Sequence, residues 1–88
     1  IESMADAAVS EGLSRKTSYK MAAQAVMGSA KLMLESGEHP GILKDKICSP
    51  GGTTIEAVNT LEKGGFRTTV IEALKACTKK SRNMSGEQ

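Results

Sequence analysis

The chain has 88 residues, a formal net charge of +2 and two aromatic side chains, Tyr19 and Phe66. At this length roughly 60–65% of the unfolded surface is buried on folding, so a lone core is marginal and a partner surface is expected. The small charge excludes a broad nucleic-acid footprint, and one histidine with two cysteines excludes a structural zinc site, which needs about four ligands.

Four main helices and one loop are predicted, and no segment alternates like a strand, so the fold class is all-α. The first helix covers about residues 1–11, where Ile1, Met4, Ala5, Ala8 and Val9 recur at helical spacing. Ile1-Glu2-Ser3-Met4 is already in helical register without a capping residue ahead of it, which reads as a cut through a longer protein. The opening residues show no signal-peptide pattern. Gly12 stands where a left-handed glycine ends a helix. Ser14 then caps a second helix that runs to about Ser36 and stops at Gly37.

On that second helix Thr17, Lys20, Gln24, Lys31 and Glu35 fall in a stripe only about 60° wide. Met21, Val26, Met27, Leu32, Met33 and Leu34 occupy much of the remainder. A helix apolar over most of its circumference is expected to be buried on most sides. It is no membrane span, because its apolar part is short and is interrupted by Gln24 and Lys31, whereas a span needs about 20 apolar residues. Ser18, Ala22, Ala25 and Ser29 line up along one side. Three other helices of so short a chain can hardly wrap this one, so a second subunit is expected against it.

Next come Glu38-His39-Pro40-Gly41 and a short helical turn over residues 42–47, with Pro40 suited to a first helical position. A third helix follows the loop Ser49-Pro50-Gly51-Gly52-Thr53-Thr54 and ends near Lys63, before Gly64-Gly65. The fourth runs over about residues 66–80 and is expected to bury Phe66, Val70, Ile71, Leu74 and Cys77. Lys79, Lys80 and Arg82 form a solvated end that complements the helix dipole.

The loop at residues 49–54 is the candidate site. Paired glycines allow close backbone approach and lead into a helix start, whose free N–H groups attract anions. The hydroxyls of Thr53 and Thr54 add donors. Such a cradle suits a carboxylate or a phosphate. The alternative is structural: Thr53 with Glu56 forms a capping box, and Gly51-Gly52 is loop punctuation. The loop matches neither a phosphate-binding P-loop nor a dinucleotide fingerprint.

At this loop the sequence resembles the pyrroline-5-carboxylate reductase family. The resemblance rests on His39-Pro40-Gly41, Leu43-Lys44-Asp45, Ser49-Pro50-Gly51-Gly52-Thr53-Thr54-Ile55 and Leu61-Glu62-Lys63-Gly64-Gly65-Phe66-Arg67, in one order within residues 39–67. The Ala-rich helices before these motifs and Lys79-Lys80-Ser81-Arg82 after them extend it over nearly the whole chain. The resemblance implies reduction of pyrroline-5-carboxylate to L-proline by NADPH or NADH. It implies an N-terminal Rossmann domain, absent from this chain, and a C-terminal helical domain, here residues 1–88, that interlocks with its twin. Dimers of some members assemble into larger rings, and the substrate lies at the dimer interface. Carried over, Ser49, Gly51, Gly52, Thr53 and Thr54 hold the substrate carboxylate, with Thr54 at the reacting imine.

Hydride chemistry belongs to the cofactor, which leaves orientation and electrostatics to this domain. His39 reads as the residue that starts a helix, while Glu38 and Asp45 read as solvated or capping groups. Cys48 stands where the family usually has a small residue and is expected to pack. Both cysteines read as free thiols of a reducing compartment, the cytoplasm by default. Ser81-Arg82-Asn83-Met84 follows the family's usual ending only in part, and no nucleotide fingerprint is present, so this chain alone is not expected to turn over substrate. A helical dimerisation or scaffolding module without a ligand is the alternative. It explains the second helix equally well but not the family motifs.

Overall fold

Five α-helices make up the computed structural model, which describes residues 1–86: α1 (Glu2–Ser10), α2 (Arg15–Ser36), α3 (Pro40–Ile47), α4 (Thr53–Lys63) and α5 (Phe66–Met84). No strand occurs among the described residues. The all-α expectation therefore holds. The predicted turn at 42–47 is a full eight-residue helix that starts earlier, at Pro40. The last helix runs four residues beyond the predicted Lys80.

The first compact unit spans Ile1–Asp45. Its helix ends follow local chemistry. The amide of Gly12 donates to the Val9 carbonyl at 2.9 Å, and that of Leu13 to Ala8 at 3.1 Å. With Gly12 at φ +105°, this is a Schellman ending, which only glycine adopts without penalty. The Ser14 hydroxyl accepts from the Thr17 amide at 3.3 Å, as expected of an N-cap. Gly37 closes α2 by donating to the Met33 carbonyl at 3.1 Å.

Helix α1 packs on α2, and the contact is built from small residues. Among the described residues the buried ones are Ala5 of α1 and Ser18 and Ala22 of α2. The hydroxyl of Ser18 donates to the Ser14 carbonyl at 2.7 Å, so its burial leaves no polar group unpaired. At the rim Arg15 pairs with Asp6 and stands over the Tyr19 ring, 5.8 Å from its centre. The Asp6 hydrogen bond raises the Arg15 pKa above its ordinary value.

The small-residue stripe on α2 is thus shared. Ser18 and Ala22 are buried within their own unit, whereas Ala25 and Ser29 are exposed. In keeping with the expectation that so short a chain can hardly wrap it, α2 is not covered on most sides within one chain. Met21, Val26, Met27, Leu32, Met33 and Leu34 are all exposed, Leu34 to 80%.

The second unit begins at Lys46 and holds α4 and α5, which touch one another. The Arg67 Nε donates to Glu62 Oε1 at 2.7 Å, bridging the Gly64-Gly65 turn. The predicted burial of Phe66, Val70, Ile71, Leu74 and Cys77 is not achieved inside the chain. All five are exposed, Leu74 to 65%. Two helices joined by a short turn cannot cover a stripe this long.

Among the described residues no helix is long and apolar enough to cross a membrane.

Candidate functional site

The site at residues 49–54 is a turn followed by a helix start. The Ser49 carbonyl accepts the Gly52 amide hydrogen at 3.0 Å. Pro50 and Gly51 are the central residues, and Gly51 has φ +68°. Proline first and a positive-φ glycine second are the signature of a type II turn. A side chain at position 51 would be strained there.

Gly52 is the N-cap of α4, in extended backbone at φ −82° and ψ 175°, and no side chain caps the helix. Thr53 is therefore the first helical residue and not the cap. The capping box with Glu56, the structural alternative, does not form. The Gly52 amide is spent on the turn. The amides of Thr53, Thr54 and Ile55 head the helix, and among the described residues neither the turn nor an N-cap side chain gives them an acceptor. These are the orphan donors that a helix start offers, at the end where its dipole is positive.

The turn and the first turn of α4 bring Ser49, Gly51, Gly52, Thr53 and Thr54 together, as their contiguity requires. Ser49, Gly51 and Thr53 are exposed, while Gly52 and Thr54 are half-buried. Thr54 is the more sheltered of the two threonines, with its neighbour Ile55 also half-buried. Chemically the arrangement offers neutral donors at a positive helix end, which suits a small anion and supplies no proton-transfer pair.

Upstream, the His39 Nδ1 accepts the Gly41 amide hydrogen at 2.9 Å, and the His39 carbonyl accepts from Ile42 and Leu43. Pro40, which follows it, has no amide hydrogen to satisfy. His39 thus caps α3, in keeping with its reading as a helix-start residue. Cys48 is a half-buried free thiol and Cys77 an exposed one. Among the described residues no cluster of three or more histidine, cysteine or acidic side chains stands ready to hold a metal ion. The loop is no dinucleotide fingerprint, because that motif follows a strand and the paired glycines here follow a helix and a turn.

Sequence reasoning missed two relationships. One is the packing of Ser49 against Gly52, which depends on a backbone conformation that composition does not reveal. The other is the bridge between Glu62 and Arg67. Its spacing of five residues fits no regular helix pair, so only knowledge of the turn geometry finds it.

The description of the family model that matches residues 1–84 is pyrroline-5-carboxylate reductase dimerisation. The chain is 66% identical over 85 residues to the pyrroline-5-carboxylate reductase of Escherichia coli K12, covering 97% of this chain and 32% of that protein. Identity to the Arabidopsis thaliana enzyme is 48%, again over 97% of this chain and 31% of the relative. The chain thus spans about a third of the length of the curated relatives it matches. Among solved structures, a Plasmodium falciparum pyrroline carboxylate reductase with NADP bound superposes with a TM-score of 0.90 at 41% identity, covering 94% of this chain and 32% of that one. The motifs, the five helices and these likenesses agree: the chain belongs to the pyrroline-5-carboxylate reductase dimerisation family.

Proposed function

We propose that this chain is the dimerising, substrate-holding part of a longer NAD(P)H-dependent enzyme that reduces 1-pyrroline-5-carboxylate to L-proline. The observation that carries the reading is the uncapped start of α4. The amides of Thr53, Thr54 and Ile55 there, with the hydroxyls of Ser49, Thr53 and Thr54, suit the substrate carboxylate. Gly51 holds the turn that aims them. Thr54, half-buried in the first turn, is assigned to the reacting imine. These roles rest on the family motif together with the local geometry.

The dinucleotide, NADPH or NADH, is held mainly by the part of the enzyme outside this chain and supplies the hydride. The chain's own residues bind the carboxylate, orient the ring and shelter it from water. The family description and the exposed apolar faces of α2 and α5 support a homodimer in which each copy covers the other. The two free thiols fit a reducing compartment, the cytoplasm in this reading.

The reading is tested with the full-length protein that carries this chain. A ligand that binds only the folded state raises the melting temperature, so L-proline is expected to raise it and Thr54→Ala to lower turnover. No shift with proline at high concentration contradicts the carboxylate site. Unchanged turnover in Thr54→Ala contradicts the role of that hydroxyl.

A further inference from the structure

The two adjacent glycines of the loop serve different ends. Gly51 is required by its backbone, at φ +68°. Gly52 is not: φ −82° and ψ 175° are open to any residue. What position 52 lacks is room. A Cβ built there would overlap the Ser49 hydroxyl and would stand 3.2 Å from the Ser49 carbonyl oxygen. The Ser49 hydroxyl therefore fills the space where the side chain of an N-cap residue would stand, although Ser49 lies three residues earlier in the chain.

An ordinary N-cap serine or threonine would occupy that space with an oxygen that accepts from the first amides of the helix. Here α4 has no side-chain cap, so the hydroxyl stands beside the helix start without closing it. A hydroxyl can donate to a carboxylate just as an amide does. We propose that Gly52 is a positioning residue: having no side chain, it leaves the N-cap space of α4 to the Ser49 hydroxyl, which there joins the helix amides in holding the substrate carboxylate. This inference rests on the function proposed above and adds a role for Gly52 that is steric and acts through Ser49.

The chemistry makes the role testable. An alanine methyl at position 52 meets mainly the end of a serine side chain, which can turn to another rotamer. The fold survives, and the hydroxyl is displaced. Kinetics of the full-length enzyme with Ser49→Ala, Gly52→Ala and the double variant form a cycle. Losing one hydrogen bond to a carboxylate corresponds to about tenfold in affinity. Each single variant is expected to raise KM by about that factor with kcat nearly unchanged, and the double variant is expected to be no worse than either. Costs that multiply, or a Gly52→Ala enzyme with unchanged KM, overturn the proposal.

A crystal structure of the Gly52→Ala protein gives a readout that does not depend on the substrate. Ser49 with its hydroxyl swung away from the start of α4 is the expected result. A hydroxyl still in place, with the backbone displaced instead, overturns the steric role even if the enzyme reduces pyrroline-5-carboxylate. Conversely, a swung hydroxyl in a protein inactive on that substrate leaves the steric role standing and removes the proposed function.

Discussion

The carbonyl of Ser49 and the amide of Gly52 meet at 3.0 Å across Pro50 and Gly51, and this bond closes the turn that delivers the chain into α4. The turn holds only if residue 51 keeps φ +68°. Gly51→Ala is therefore expected to destabilise the full-length protein by about 1–2 kcal/mol and to weaken substrate binding, since the start of α4 is built on this turn. Gly51→Asn should cost less, because asparagine enters the left-handed region more readily. Urea denaturation of both variants checks this. An alanine variant with wild-type stability would contradict the turn.

His39 is the sole histidine, which invites a catalytic role, but its ring is engaged with the Gly41 amide. His39→Ala is expected to cost about 1 kcal/mol of stability, as other lost caps do, with His39→Asn restoring much of it. Turnover per folded enzyme should stay within about twofold, since general acid–base residues contribute typically 10²–10⁴-fold. A hundredfold fall in kcat at unchanged stability would make His39 a proton donor or acceptor instead of a cap.

Leu74 is 65% exposed in the single chain, on the apolar stripe of α5 that includes Val70 and Phe66. If a second copy covers that stripe, Leu74→Glu places a charge in an apolar interface. The expected cost is about 3 kcal/mol or more, at least about a hundredfold in the dimer constant. Sedimentation at micromolar concentration should show monomers for the variant and dimers for the parent. A Leu74→Glu protein that remains as tight a dimer would place the interface elsewhere.

The bridge between Glu62 and Arg67 joins two solvent-exposed side chains. Its geometry is good, but exposed pairs contribute only about 0.2–1 kcal/mol. A double-mutant cycle with Glu62→Gln and Arg67→Gln should give a coupling in that range that shrinks at 1 M salt, where the screening length is about 3 Å. A coupling above about 2 kcal/mol would mean that the pair is desolvated in the assembled protein.

The helix boundaries were legible because they are set by short-range chemistry. Gly12, Ser14, Gly37 and Gly64-Gly65 each stop or start a helix through a bond to a residue close in sequence. The length of α3 is less legible. Pro40 reads as a good first residue, but the acceptor that makes the helix start there, His39 Nδ1, is not one of the usual capping groups. The end of α5 is also hard to read: the run after Lys80 is polar and carries no apolar periodicity, yet with no helix breaker before Gly86 the helix continues to Met84.

Burial was the least legible property. Periodicity identifies which face of α2 or α5 is apolar, but not which chain covers it. Leu34 and Leu74 are therefore correctly marked as apolar-face residues and yet stand in the open in one copy. The site was legible as a contiguous motif. The division of labour between its two glycines was not, because it depends on φ at position 51 and on free space at position 52.

The proposed reaction is checked by following the absorbance of NADPH, and then of NADH, with the purified full-length protein and 1-pyrroline-5-carboxylate. A substrate-dependent loss of absorbance with L-proline as the product is expected, weakened when Thr54 is replaced by alanine. A folded, dimeric protein that oxidises neither cofactor with this substrate would contradict it and leave α2 and α5 as the faces of a helical scaffold.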